Sequence, residues 1–177
     1  MKLAVLSGKG GAGKTLVAVN LAVTAKQAVY IDCDVEEPNG RLFLKPEIET
    51  VTPVSTLLPE FDTSRCNGCR ACVNACRFHA LVYLKERPMV FPEVCHACGA
   101  CSMVCPHDAV REVPHPIGTL EQGRRGGVRV ITGILNPGEA SGVPVLRAAL
   151  APGGNAAPLT VIDCPPGCAC PALESAA

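Results

Sequence analysis

The sequence predicts an α/β fold: a mainly parallel sheet carrying a phosphate-binding loop, incomplete toward the carboxyl end, with a small inserted α+β domain built around cysteines. Three observations predict it. A short apolar run, Leu3 to Leu6, enters a glycine loop and then a helical pattern. Two further β-rich runs end on Asp32 and Asp163. Between them, eight cysteines fall in two like-spaced runs from Cys66 to Cys105. Strand, crossover helix and second strand is the order that a parallel α/β unit requires.

Leu3 to Leu6 reads as the first strand, and Thr15 to Lys26, with Leu16, Val19, Asn20 and Val23 at helical spacing, as the helix after it. Ala28 to Ile31 is β-rich and closes on Asp32-Cys33-Asp34, which puts both aspartates at a strand's carboxyl end. Pro46 to Ser64 is rich in Pro, Thr and Ser without a clean period and reads as a connection. Residues 65 to 112 are a short internal repeat, with Val82 to Leu84 and Met89 to Phe91 as small strands. After a proline-rich exit at Pro114 and Pro116, the stretch Gly118 to Gly127, with Arg124 and Arg125 among glycines, reads as a solvated loop. Val128 to Leu135 then predicts a strand, Val143 to Leu150 a helix, and Leu159 to Ile162 a buried strand ending at Asp163. The expected division is a discontinuous α/β domain, residues 1–58 and 114–177, around an insert of 59–113.

Composition narrows the partners. Formal net charge is zero, with sixteen residues of each sign, which removes the electrostatic case for nucleic acid or an anionic membrane. There is no Trp and there are few aromatic residues, so stacking platforms for single strands are scarce. No stretch approaches the roughly eighteen uninterrupted apolar residues of a membrane span. The start, Met-Lys-Leu-Ala-Val, runs into a glycine loop and not into a cleavage site. A cytoplasmic location is expected, where twelve cysteines stay reduced and available to metals.

Gly8-Lys9-Gly10-Gly11-Ala12-Gly13-Lys14-Thr15 satisfies G-x-x-x-x-G-K-S/T. Glycines let backbone N–H groups approach phosphate oxygens, the final lysine neutralises them, and the hydroxyl ligates Mg²⁺. The loop follows a strand and opens a helix, whose N-terminus also favours an anion. The phosphates of a nucleotide, with Mg²⁺, are therefore the expected ligand.

With Lys9 ahead of the glycines, this segment resembles the deviant Walker A motif of the MinD/ParA/Mrp ATPases. The resemblance implies that Lys9 reaches across a nucleotide-sandwich dimer to the partner's phosphates, so a homodimer through the nucleotide face is expected. Asp32-Cys33-Asp34 resembles the family's D-x-D, and Asp163-Cys164-Pro165-Pro166-Gly167 its Walker B and switch II segment. The implied catalytic set is Lys9, Lys14, Asp34 and Asp163, with Asp34 positioning the attacking water and Asp163 on the Mg²⁺ side. Phosphoryl transfer needs such carboxylates near the metal and the water. The plainer alternatives are a solvated Lys9 and aspartates that cap turns, Asp32 above all.

Cys66-x2-Cys69-x2-Cys72-x3-Cys76 and Cys95-x2-Cys98-x2-Cys101-x3-Cys105-Pro106 are two copies of the bacterial ferredoxin ligand run. In two-cluster proteins of this kind the fourth cysteine of each run ligates the other cluster. Cys66, Cys69, Cys72 and Cys105 are thus expected to hold one [4Fe–4S] cluster, and Cys95, Cys98, Cys101 and Cys76 the other. Zinc is the alternative, but paired C-x2-C knuckles round one tetrahedral ion leave four thiols without a role. Arg77 stands where the first run would carry proline, a departure that bears on the turn and on the potential of the neighbouring cluster. His79, His96 and His107 lie beside filled ligand positions and read as outer hydrogen-bonding partners or as solvated. Cys33 reads as a small core or loop thiol. Cys164, Cys168 and Cys170 read as inert loop thiols, with a further metal or a shared cluster as the alternative.

The combination resembles the iron–sulfur members of the CobQ/CobB/MinD/ParA nucleotide-binding proteins. That resemblance implies ATP binding and hydrolysis coupled to electron transfer or to iron–sulfur and metallocofactor assembly, with an unknown redox or cluster-acceptor protein as partner. Because such proteins continue past the Pro-Pro-Gly loop, the chain is expected to be an amino-terminal fragment. A redox or scaffold module with weak or vestigial nucleotide binding is the second reading. A ParA-like positioning protein is the third, disfavoured by the lack of a basic patch or a membrane-targeting helix.

Overall fold

The computed structural model describes residues 1–153, 157–167 and 175. In chain order the elements are β1 (Lys2–Val5), α1 (Lys14–Thr24), β2 (Ala28–Asp32), α2 (Gly40–Leu44), β3 (Glu47–Phe61), α3 (Ala71–Ala75), β4 (Leu81–Leu84), β5 (Arg87–Val90), α4 (Ala100–Met103), β6 (Val110–Arg125), β7 (Val128–Leu135), α5 (Val143–Leu150) and β8 (Leu159–Asp163). The chain divides into two compact units. One comprises Met1–Val54, Ile117–Pro137 and Gly142–Ala177; the other comprises Ser55–Pro116 and Gly138–Ser141. β3 and β6 carry the chain between them.

The first unit is built on a six-stranded sheet in the order β1-β8-β2-β7-β6-β3. β1, β8, β2 and β7 are parallel, and β6 runs antiparallel to β7. Apolar side chains on both faces are what a parallel strand covered on both sides demands, and all five residues of β2 are buried. Ala28 and Tyr30 pack with Ala18, Val19 and Ala22 of α1. Val29, Ile31 and Cys33 pack with Val145, Leu146 and Ala149 of α5. The alternation along one strand therefore builds two cores. Register places Asp32 opposite Asp163, and Asp163 opposite Val5, so the carboxyl ends of three strands meet at one sheet edge.

Within α1, at the helical spacing expected, Leu16 and Val23 are 57% and 54% exposed, whereas Ala18, Val19 and Ala22 are buried. α1 turns its small side chains to the sheet, an inward face that a search for large apolar residues overlooks. Pro46 to Ser64 is not mere connection but largely β3, an edge strand. Most of its residues are exposed, so no burial period marks it, and Pro53 is tolerated at an edge where an N–H need not be paired. Gly118 to Gly127 is not a loop either, since β6 runs through Pro114 and Pro116 to Arg125 and pairs with β7 from Gly118 opposite Leu135 to Arg125 opposite Val128. Arg124 pairs with Glu49 at 3.3 Å instead of standing free in solvent.

The second unit has a small antiparallel hairpin, β4 with β5, and the one-turn helices α3 and α4. Its buried apolar residues are few, among them Leu58, Cys72, Ala80, Leu81 and Ala109. A unit of this size needs staples beyond its core.

Candidate functional site

The two cysteine loops of the second unit share a backbone conformation that their spacing alone does not announce. The offset that takes Cys66 to Cys95 takes Gly68 to Ala97, Arg70 to Gly99 and His79 to Asp108. All six of those residues have positive φ, at 77° and 49°, 60° and 73°, and 53° and 47° respectively. Left-handed residues on either side of Cys69 and Cys98 curl each loop tightly, so that its thiols converge.

Each loop closes on a cavity. The first is lined by Cys66, Cys69, Cys72 and Cys105, together with Arg70 and His107. The second is lined by Cys76, Cys95, Cys98 and Cys101, together with His96 and Glu112. The fourth cysteine of each run thus stands at the other run's cavity. Among the described residues, no three His, Cys, Asp or Glu side chains close on a point where a single metal ion could sit. Four thiols round one cavity are the donor set that a [4Fe–4S] cluster takes, so the residues present fit that group.

Burial pushes three of the thiols, Cys72, Cys95 and Cys101, up. Cys72 is raised by burial, partly offset by the N–H groups of Val73 and of Cys72 itself, and raised further by Cys105 and Cys66 beside it. Cys95 is raised by burial, with the Ala97 N–H opposing and Cys76 and Cys98 adding. Cys101 is pushed up to about 11, first by burial. Cluster binding must therefore displace protons. The Ala109 N–H already points to Cys105 Sγ at 3.3 Å, a donor suited to a thiolate. Of the histidines, His96 stacks on Phe78 with ring centroids 3.9 Å apart.

In the first unit, Gly8 to Gly13 forms an exposed loop between β1 and α1. Gly13, at φ 86°, is the N-cap of α1, and a side chain there would be strained by the left-handed backbone. Lys9 is exposed, and its carbonyl accepts the Ser7 hydroxyl at 2.7 Å. The Gly167 N–H donates to the Ser7 carbonyl at 3.0 Å and the Cys164 N–H to that of Val5 at 3.2 Å, which ties the segment after β8 to the start of the loop.

Asp163 is buried at the end of β8. Its carboxyl is held up by burial and drawn back by the Thr15 hydroxyl, the Tyr30 hydroxyl and the Lys14 ammonium. Tyr30 donates to Asp163 Oδ2 at 2.9 Å, while Oδ1 is buried with no hydrogen-bond partner among the described residues. An orphaned carboxylate oxygen beside the Thr15 hydroxyl is a place that suits Mg²⁺, so the donors fit that ion. Asp34 is half-buried and raised by burial, with Lys14 opposing. The structure thus gathers Lys14, Thr15, Asp34 and Asp163, and leaves Lys9 on the outer loop. Asp32 differs: it is fully buried, and its carboxylate accepts the N–H groups of Gly40 at 2.9 Å and Asp34 at 3.2 Å. Burial pushes it up to about 7. It staples the turn after β2.

Residues 65–109 match the 4Fe-4S dicluster domain family. Residues 65–109 form a 4Fe-4S dicluster domain. The match is to the iron–sulfur reading of these cysteines and not to the zinc one. Beyond the dicluster domain, the whole chain is 31% identical over 179 aligned residues to an uncharacterized protein of Methanocaldococcus jannaschii, covering 99% of this chain and 63% of that protein. Indolepyruvate oxidoreductase subunit IorA of Pyrococcus abyssi is 36% identical over 56 residues, 30% of this chain and 9% of that protein. The chain therefore spans less than two thirds of the length of these relatives. The septum site-determining protein MinD complexed with Mg-ADP, from Pyrococcus horikoshii, superposes with a TM-score of 0.49 at 16% identity, over 99% of this chain and 53% of that one.

Cys168 and Cys170 lie outside the described residues. Cys164 is buried and donates to the Ile162 carbonyl at 3.8 Å, and Cys33 is buried in the same core. Two residues beside these sites escaped the sequence reading. Tyr30 was signalled by its place two residues before Asp32 in a buried strand, since a buried tyrosine hydroxyl needs a partner. Glu112 was signalled by the internal repeat, which carries Tyr83 onto it. No helix among the described residues is long and apolar enough to cross a membrane.

Proposed function

We propose that this chain is an iron–sulfur redox protein in which ATP binding and hydrolysis at Gly8 to Thr15 are coupled to electron transfer at the dicluster domain. The observation that carries the reading is the pair of four-thiol cavities, each completed by the fourth cysteine of the other run, in a chain that also has a phosphate loop. When bound, the clusters supply reversible one-electron storage.

The protein's own residues do the rest. Cys66, Cys69, Cys72 and Cys105 hold one cluster, and Cys76, Cys95, Cys98 and Cys101 the other, each as a thiolate. Each cluster thereby ties one loop to the far end of the other and supplies the staple that the small core lacks. At the phosphate loop, backbone N–H groups and Lys14 bind the phosphates, Thr15 and Asp163 hold Mg²⁺, and Asp34 orients the attacking water. Asp163 is aimed by Tyr30, whose hydroxyl occupies one carboxylate oxygen and leaves the other for the ion. Lys9, exposed on the loop, serves a second copy of the chain, so the active form is a homodimer through the nucleotide face. The electron acceptor is another protein, or else a recipient of assembled clusters.

Anaerobic preparation followed by iron, sulfide and ATP-turnover assays tests the reading. Turnover that changes with the redox state of the clusters supports coupling. Clusters present with no ATP binding would leave only a redox or scaffold module.

A further inference from the structure

The two halves of the dicluster domain are alike in backbone and unlike in charge. The cavities are close in size, with empty volumes of about 360 and 380 Å³, solvent at the mouth included. Each takes four cysteines and one imidazole, His107 in the first and His96 in the second. Backbone N–H groups serve the thiols on both sides, at Cys72 and Cys105 in one and at Cys95 and Cys101 in the other. What differs in charge is two pairs of equivalent positions. The offset between the runs carries Arg70 onto Gly99 and Tyr83 onto Glu112.

At the first cavity the Arg70 guanidinium lies over the Tyr83 ring, 4.5 Å from its centroid, and the Tyr83 hydroxyl donates to the Glu86 carbonyl at 2.8 Å. The cation is thus held against the wall of the cavity by an anchored ring. At the second cavity there is no side chain at Gly99, and its place is approached by a carboxylate: a Cβ built there would lie 3.1 Å from Glu112 Oε1. Other nearby charges do not repeat this contrast. Arg65 is paired with Asp62, Arg111 with Glu60, and neither Arg77 nor Glu93 lines a cavity.

Adding one electron makes a thiolate-bound cluster one unit more negative. A fixed cation beside it favours that change and a fixed anion opposes it. We propose that Arg70 and Glu112 make the two clusters of this domain inequivalent, the one held by Cys66, Cys69, Cys72 and Cys105 having the higher reduction potential. The inference rests on the dicluster reading above. Its consequence is a direction: the first electron taken from a one-electron donor resides at the first cavity, and the second cavity is the more strongly reducing site once both are filled. Because both side chains are exposed, solvent weakens each field, and the effect of either is moderate.

The test is an anaerobic potentiometric titration of the full chain with dithionite, followed by electron paramagnetic resonance, with iron and sulfide counted on the same sample. Two one-electron waves are expected. Arg70→Gln lowers the higher wave, changing the oxidised-to-reduced ratio at a fixed potential about threefold, which at about 59 mV per tenfold is about 28 mV. Arg70→Lys keeps the charge and largely restores the wave. Glu112→Gln raises the lower wave, and the double variant of Arg70→Gln with Glu112→Gln brings the two together. Full iron and sulfide in each variant shows that the domain has folded. A single wave in the fully loaded wild type, or variants that move the wrong wave, overturns the inference and leaves the dicluster reading intact. A chain that takes up no iron or sulfide overturns both.

Discussion

Cys76, from the first ligand run, lines the same cavity as Cys95, from the second. Burial raises Cys95, and the neighbouring Cys76 thiol adds to the effect. A chain in which each run held its own cluster would put Cys76 elsewhere. Cys76→Ser is therefore expected to damage the cluster of Cys95, Cys98 and Cys101 while sparing the other. Iron and sulfide should fall from about eight of each toward about four, and the surviving resonance should be that of the first cavity. Loss of the first-cavity signal instead would exclude crossed ligation.

The Tyr30 hydroxyl is fully buried and has Asp163 Oδ2 as its acceptor. Tyr30→Phe keeps the ring in the α1 core and removes only the donor, so Oδ2 of the buried Asp163 carboxylate loses its hydrogen bond while Oδ1 already has none among the described residues. Leaving such a group unsatisfied costs about 1–3 kcal/mol. For a chain of this size each kcal/mol is about 2–4 °C in Tm, so a fall of several degrees is expected by calorimetry. Mg²⁺ affinity measured with nucleotide should also fall, because Asp163 loses the contact that aims its free oxygen. An unchanged melting point would remove Tyr30 from this role.

Gly40 opens α2 directly against the Tyr30 ring. A Cβ there would overlap the Tyr30 hydroxyl and the adjacent ring carbons, and the ring is packed among Ala18, Val19 and Ala22 and has no room to yield. Gly40→Ala is expected to destabilise by about 1–3 kcal/mol, although alanine is the better helix former. Combining Gly40→Ala with Tyr30→Phe should recover part of that loss, since the clash involves the deleted hydroxyl. Denaturant unfolding of both variants and the double variant checks this, and simple additivity would contradict it.

What was legible in advance follows a pattern. Lys14, Thr15 and the eight cysteines of the two runs sit in short motifs whose spacing points to the chemistry, and β2, β7 and β8 are apolar enough to announce themselves. β3 and most of β6 lacked that signal, because a strand that leaves much of its length in solvent shows no period of burial. Arg124 could not be read as an ion-pair partner of Glu49 while the pairing of β6 was unknown. Tyr30, Asp32 and Glu112 depend on contacts across the fold: a hydroxyl on Asp163, N–H groups on a carboxylate, a carboxylate over a glycine. Local spacing marks the atoms that bind, and long-range packing decides how they are held.

The two lysines of the phosphate loop separate by place. Lys14 opens α1 and acts on the carboxyl groups of both Asp34 and Asp163, holding each below where burial alone would put it. Lys14→Ala removes that charge, which on the proposed reading also meets the phosphates, and is expected to abolish measurable ATP binding. Lys9 is exposed, and its backbone carbonyl accepts the Ser7 hydroxyl. Lys9→Ala is expected to leave most of the binding to a single chain in place, while cutting hydrolysis tenfold or more, which corresponds to at least about 1.4 kcal/mol of transition-state stabilisation. ATP-dependent dimerisation should weaken in parallel, because on the proposed reading the side chain acts on the second copy's nucleotide. Binding by calorimetry, turnover, and mass by light scattering with and without ATP give three independent readouts. Equal loss of monomer binding in the two variants would place Lys9 in its own site and remove the argument for a dimer through this face.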